Sequence, residues 1–371
     1  MLLLLSLTYP ASTYYGDSLF YDEGHMFPTF SSFSCESPLS AVDFVKEKAI
    51  FAKVFLNPNF SQDSIDYVPE ASIRFFYPNS NLNMAFLVGG KFMGLASAAL
   101  RYMPVSDFSY YSKRDVVNPD NPSVVEAVEV YSSKGSLKAV GGYLSGGYNF
   151  ERFALAAGIS LDYLFGKKKV SYSIDYALLP GDTSSENDYS YSGLRVGVYS
   201  RVVLASLMFV DSSIYLPVRL NSETVLPMTL KASLGWSSSA EEVPTSVAIS
   251  FSYYLWKSAI LDGVSLADAG WDNSFSVSVG GSHRFTIRKG VWHVSYWGRY
   301  EKVAFDPASG WIGAGFLVGK YFLEGALELS LLSDYSVRAF MMLPPLYEKP
   351  VFANNRVLRV VLSANAYFGF K

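Results

Sequence analysis

The sequence predicts an all-β protein, a transmembrane antiparallel β-barrel, and three observations predict it. Segments along most of the chain alternate apolar with small or polar residues at a period of two, the signature of strands whose faces meet different solvents. Charged residues make up only 17% of the 371 residues, where an ordinary soluble domain carries about 25%. Aromatic residues reach 16%, a richness that suits girdles of rings at headgroup depth.

The pattern is clearest between Asn221 and Phe285. Val247, Ile249, Phe251, Tyr253 and Leu255 share one face, with Ala248, Ser250, Ser252 and Tyr254 on the other. Phe275, Val277, Val279 and Phe285 likewise oppose Ser274, Ser276, Ser278, Ser282 and Arg284. Alternation alone fits a soluble sandwich as well as a barrel; composition favours lipid outside and a polar lumen inside.

The chain begins with an apolar run, Met1 to Leu7, followed by Ala11 and Ser12, and residues 1–12 read as a signal-peptide remnant that lacks a basic n-region. Residues 13–66 are irregular and read as a hatch- or plug-like segment, with a short helix expected over Ala41 to Phe55. Residues 67–371 read as the barrel. Ile73 to Tyr77 and Leu82 to Lys91 form a hairpin about a turn at Pro78 to Asn81, and Ala96 to Tyr111 is less regular. A long loop is expected over Ser112 to Pro122, then strands over Val124 to Tyr131 and Leu137 to Tyr148. Phe153 to Phe165 alternates almost without fault. Gly166 to Lys169 reads as a solvated turn, Ser171 to Leu178 as the returning strand and Gly181 to Asp188 as a polar loop. Strands follow over Tyr189 to Arg201, Val202 to Val210, Ile214 to Arg219, Val291 to Val303, Trp311 to Tyr321 and Phe322 to Leu331. The last is Val357 to Lys371, whose closing aromatics look like the signal read by the barrel assembly machinery. At about 9–11 residues per membrane strand plus connections, this length holds about 12 to 16 strands, an even number being expected. Short and long connections do not alternate cleanly, so neither rim can be assigned.

A net charge of −3 gives no reason to expect a nucleic-acid partner, and Cys35 stands alone, so there is no disulfide framework. The three histidines, His25, His283 and His293, lack metal-ligand spacing, and neither a GxSxG elbow nor a phosphate-cradling loop occurs. Ser282 and His283 are adjacent in a strand and point to opposite faces, so they cannot pair as nucleophile and base. No enzyme activity, metal or cofactor is expected. Asp162, Arg284, Glu324 and Glu328 are expected to face the lumen, where charge is tolerated.

Four stretches carry a family resemblance: VLPMTLKASLGW (Val225 to Trp236), the strand Val247 to Trp256, GWDNSFSVSVGGSHRF (Gly270 to Phe285) and the paired strands within Leu144 to Tyr163. In this order they resemble the long-chain fatty acid outer-membrane transporter family of the FadL/OmpP1/TodX type, over about half of the chain. The resemblance implies a fourteen-stranded barrel with an N-terminal hatch in the outer membrane of a diderm bacterium. It also implies passive uptake of hydrophobic small molecules such as long-chain fatty acids, by a monomer set in outer-membrane lipid. The family's hatch carries an Asn-Pro-Ala element; the nearest match here is Asn57-Pro58-Asn59, so Asn57 and Pro58 are the candidate hatch residues. A general diffusion porin and a structural or adhesive outer-membrane protein are the competing readings.

Overall fold

The structure is a computed structural model. It describes residues 48–68, 73–92, 96–108, 110–117, 123–150, 153–177, 183–204, 208–237, 245–268, 270–287, 290–302, 304, 310–320, 323–336 and 352–370. Nearly all of them lie in strands. The first eight are β1 (Lys48–Val68), β2 (Ile73–Phe92), β3 (Ala96–Asp107), β4 (Tyr110–Val117), β5 (Val125–Asn149), β6 (Phe153–Tyr176), β7 (Thr183–Leu204) and β8 (Met208–Tyr215). Two short strands follow, β9 (Val218–Arg219) and β10 (Val225–Leu226), then β11 (Thr229–Ser237) and β12 (Thr245–Tyr254). A second short pair, β13 (Ile260–Leu261) and β14 (Val264–Ser265), precedes β15 (Ser274–Ile287), β16 (Gly290–Lys302), β17 (Gly310–Lys320), β18 (Leu323–Ser336) and β19 (Phe352–Phe370).

Fifteen strands form one antiparallel sheet, and its pairings run round a complete circuit. β19 pairs with β1, β1 with β2, and β3 bridges β2 to the second half of β5. β4 pairs with the first half of the same β5, so β3 and β4 act as one interrupted wall strand, broken beside Phe108. In lipid this circuit has a simple cause: an open edge leaves backbone groups unpaired, each at several kcal/mol.

Exposure follows the sequence period. Along β6, Phe153, Leu155, Ile159, Leu161 and Tyr163 are exposed, while Ala154, Ala156, Ser160, Asp162 and Leu164 are buried. β7 answers with Leu194, Val198 and Leu204 outside and Tyr191 and Tyr199 inside. The apolar face is therefore the lipid face. Aromatics mark its borders: Tyr148, Phe150 and Phe153 cluster at one level, and Tyr163 stacks on Phe165 at the other.

β5, β6 and β7 continue well past this belt. Beyond Phe165 the outward positions of β6 become Lys167 and Lys169, and those of β7 opposite become Ser190, Asp188 and Glu186. Lys169 pairs with Glu186 across this exposed wall. The turn expected at Gly166 to Lys169 and the loop at Gly181 to Asp188 are therefore continuous strand, in β6 and in β7 from Thr183. The outward side turns polar above the lipid, and at Gly166 and Lys168 the inward side of β6 is not apolar either, so the two-residue period lapses over Gly166 to Lys169 and the sequence mimics a turn. For the same reason the loop expected over Ser112 to Pro122 is strand as far as Val117, and the turn at Pro78 to Asn81 lies inside β2. The strands expected over Val124 to Tyr131 and Leu137 to Tyr148 are likewise one strand, β5, which begins at Val125.

The short helix expected over Ala41 to Phe55 is also corrected: from Lys48 onward this is β1. The boundary between hatch and barrel at residue 66 fails with it, because Lys48–Val68 belongs to the wall. Residues 1–47, with the expected signal remnant and most of the hatch, lie outside the described residues.

The connections do sort into two rims. At one rim β2 meets β3, β5 meets β6, β7 meets β8, β15 meets β16 and β17 meets β18 through short links, and Lys48 lies beside Phe370. The other rim carries the long links between β8 and β11, β12 and β15, and β18 and β19. Short turns belong to the periplasmic rim of such barrels and long loops to the outer one.

Candidate functional site: the barrel interior and its outer mouth

Inward side chains stack in layers from the short-turn rim upward. The lowest is small and apolar: Ala154, Ala156, Val203, Phe209 and Ala248 form one buried cluster. Above the Phe209 ring Arg201 holds Asp211 in a two-pronged pair at 2.7 and 2.8 Å.

The middle layer is charged. Asp162, fully buried, accepts two bonds from Arg101 at 2.9 and 2.8 Å and two from Arg195 at 3.3 and 2.9 Å. A carboxylate can satisfy two guanidinium forks because it offers about four lone-pair sites. The Tyr199 hydroxyl donates to the Tyr215 hydroxyl at 2.7 Å, and their rings meet edge to face. Gly197 leaves the room: a Cβ there would stand 2.6 Å from Ser160 Oγ and 2.9 Å from the Tyr199 hydroxyl. Arg195 and Lys231 both lie over the Tyr215 ring, at 4.8 and 5.3 Å from its centroid. Among the described residues this layer thus gathers Arg101, Arg195 and Lys231 around Asp162 and the Tyr215 ring.

The upper layer is apolar again. Phe108, Leu137, Ala139, Leu164, Tyr191, Val218 and Leu220 pack into one cluster, with Leu226 of β10 against it. Leu137 and Leu164 are 0% exposed although both sit on the lumen face of a wall strand. Their cover comes from the two longest described connections. β9, β10, β13 and β14 form a separate four-stranded sheet from these segments, in the order β14-β13-β10-β9. β9 is tied to the wall where Ser192 N–H donates to Leu220 C=O at 2.8 Å.

The β13–β14 hairpin turns on Asp262 and Gly263, both with positive φ (49° and 85°), the geometry that makes Asp-Gly a favoured two-residue turn. Its tip passes β11, β8 and β7 to reach β6. There the Asp262 carboxylate accepts from Lys168 Nζ at 2.7 Å, from the Tyr191 hydroxyl at 2.7 Å and from Thr224 Oγ1 at 3.3 Å. Gly263 N–H donates to Glu223 C=O at 2.7 Å, binding the hairpin to the neighbouring connection. Lys168 also lies 5.6 Å from the centroids of Phe108 and Tyr189. Burial pushes the Lys168 ammonium below the ordinary lysine range, against the opposing pull of Asp262. Lower on the cap, Asp272 is held by Lys302 and Lys257 at 2.9 and 3.0 Å.

Of the residues expected at the site, Asp162 is buried on the inward face of β6, paired with two arginines that the sequence does not single out. Arg284 lies in β15 opposite His293, Glu324 in β18 opposite Gly319 and Ser363, and Glu328 opposite Gly315 and Arg359; their side chains lie outside the described ones. Asn57 and Pro58 sit in the middle of β1, opposite Asn83 and Leu82 of β2, so they belong to a wall strand and not to a separate hatch. The β1–β19 ladder skips these two residues, as expected where proline brings no N–H. His283 contacts the Tyr296 hydroxyl at 3.2 Å. The lysine run had looked like one solvated turn; only Lys167 and Lys169 are solvated, and Lys168 is buried inside.

Belt, circuit and layered lumen define an outer-membrane type of transmembrane β-barrel. Solved structures agree on the fold. The chain superposes on a Pseudomonas aeruginosa FadL homologue with a TM-score of 0.54 at 11% identity, covering 94% of this chain and 96% of that one. It superposes on the P. putida toluene transporter TodX with a TM-score of 0.52 at 8% identity, covering 87% and 91%. The chain thus has the FadL-type barrel fold. No protein-family model matches it, and no curated protein matches it significantly.

Proposed function

We propose that this protein is an outer-membrane channel for passive uptake of hydrophobic small molecules, long-chain fatty acids among them. The observation that carries this reading is the apolar seal at the outer mouth. Leu137 and Leu164 line a lumen yet are 0% exposed, under Val218 and Leu220 of the cap. A diffusion porin keeps its lumen wet. A seal of leucines blocks ions and water while letting apolar solutes partition into it. The guanidiniums and ammonium of Arg101, Arg195 and Lys231 just below suit a solute with an anionic head, so an acid with an apolar tail meets matching chemistry in turn. The solved structures of like fold include one described as a toluene transporter, which supports the hydrophobic class. The chain works here as a monomer in outer-membrane lipid, inserted by the barrel assembly machinery.

The test is uptake into proteoliposomes. Purified protein should speed entry of a radiolabelled fatty acid and leave a sugar of similar mass excluded. Equal permeation of both would make the protein a general porin.

A further inference from the structure

We propose that the Asp262 carboxylate is an internal stand-in for ligand: it occupies a cationic–aromatic site at the outer mouth made for the carboxylate of an amphipathic acid. An incoming acid that takes its place frees the β13–β14 hairpin from the wall. This rests on the hydrophobic-uptake reading above and adds to it an entry site and a trigger.

The site is complete without the hairpin. Lys168 on β6 supplies an ammonium, Tyr191 on β7 a hydroxyl donor, and Phe108 and Tyr189 flank the ammonium with rings at 5.6 Å. Beneath lie Leu164, Leu137 and Val218, an apolar bed that begins where a head group would end. Lys168 lies in β6 between β5 and β7, and Tyr189 and Tyr191 lie in β7 against β6. Asp262 alone arrives from a distant connection, on a turn whose φ of 49° is uncommon for a residue with a side chain. A carboxylate bound to Lys168 and the Tyr191 hydroxyl is thus already seen, as part of the chain. A free carboxylate offers the same two oxygens, and its tail can displace the cap residues from the leucines. Exchange conserves charge: one anion leaves the Lys168 ammonium as another takes its place, so the lysine is never buried alone.

The hairpin then competes with ligand, and apparent affinity is lowered by the fraction of time it is docked. The experiment uses the full chain in detergent micelles, with laurate and dodecanol as probes; they share a chain and differ in the head. Affinity is read from tryptophan fluorescence, since Trp256 and Trp271 pack together on the same connection. Asp262→Asn should tighten laurate about tenfold or more and leave dodecanol unchanged. Adding Lys168→Met should cancel the gain. In wild type, laurate but not dodecanol should speed hydrogen exchange at residues 260–265. Laurate binding that is equal in wild type and Asp262→Asn, with no change in exchange, overturns the proposal and leaves hydrophobic uptake standing. Failure of both probes to bind any variant overturns the uptake reading itself. If Asp262→Asn does not give a heat-modifiable folded band, Tyr191→Phe serves: it removes one donor to both carboxylates and should loosen the hairpin in exchange without ligand. Unchanged exchange there would equally overturn the proposal.

Discussion

At the residue scale, Asp162 is the position on which the lumen most depends. It has no contact with water and two guanidiniums at 2.8 and 2.9 Å. Breaking a buried ion pair from one side costs about 3–5 kcal/mol, because the partner stays charged without compensation. Asp162→Asn should therefore lower the unfolding free energy by an amount of that order, seen as a lower urea midpoint at unchanged slope in the band shift on unheated gels. Replacing Arg101 and Asp162 together by Met and Leu should recover part of the loss. The role of Asp162 was legible because a charge inside an otherwise apolar alternating strand has only one cheap side to face. Its partners Arg101 and Arg195 obey the same logic; Arg195 stands directly opposite in β7, but Arg101 stands in β3, beyond β5, and that adjacency is a property of the circuit that a linear reading does not contain. Asp262 was harder still. The sequence announces a turn at Asp262-Gly263, yet nothing local says where the tip of that turn lands.

At the scale of elements, β6 shows what period two can and cannot tell. Its lower half was read correctly from alternation, down to which residues face outward. Gly166 to Lys169 reads as a turn within it, because lysines on the outward face and a buried lysine on the inward face erase the contrast between faces there. The outcome is similar for β7, whereas β5 reads as strand in both parts and only residues 132–136 between them are missed. The boundary near Phe165 is testable: Leu161→Arg, in the lipid belt, should cost about 2–4 kcal/mol in bilayer folding equilibria. Lys167, six residues on and exposed, should tolerate Lys167→Leu with little change. The strap between β12 and β15 answers to acid. Lys302, Lys257 and the Asn273 N–H hold the Asp272 carboxyl below the usual carboxylate range. A depressed folded pKa gives stability that is present above the ordinary value of about 3.9 and lost as pH falls through the folded one. Hydrogen exchange in residues 255–273 should thus quicken in strong acid in the wild type, and Asp272→Asn should show the quicker exchange already at neutral pH. The effect will be modest, since these pairs are partly exposed.

At the scale of the whole molecule, the apolar upper layer sets conductance. Single channels in planar bilayers should show little steady current in the wild type. Converting both Leu137 and Leu164 to Ser should open an ionic leak, because water then wets the layer that Val218 and Leu220 cover. A large steady current in wild type would mean the mouth is not sealed in a bilayer. The barrel class itself was visible in composition and alternation, and the rims became visible only once continuous strands showed which connections are long.

The ladder between β1 and β19 sets a timetable. Almost every other seam in the wall joins strands that are neighbours along the chain, such as β6 with β7 or β17 with β18, and each can zip as a local hairpin. This one matches Lys48 to Phe370, across nearly the whole described length. Loop closure over such a span is slow and earns no contacts until it is finished. The wall must therefore exist first as an open ribbon with two unpaired margins, in a solvent that tolerates neither. Something must shield those margins until the last strand is in place, so manufacture of this protein is limited by its final stitch.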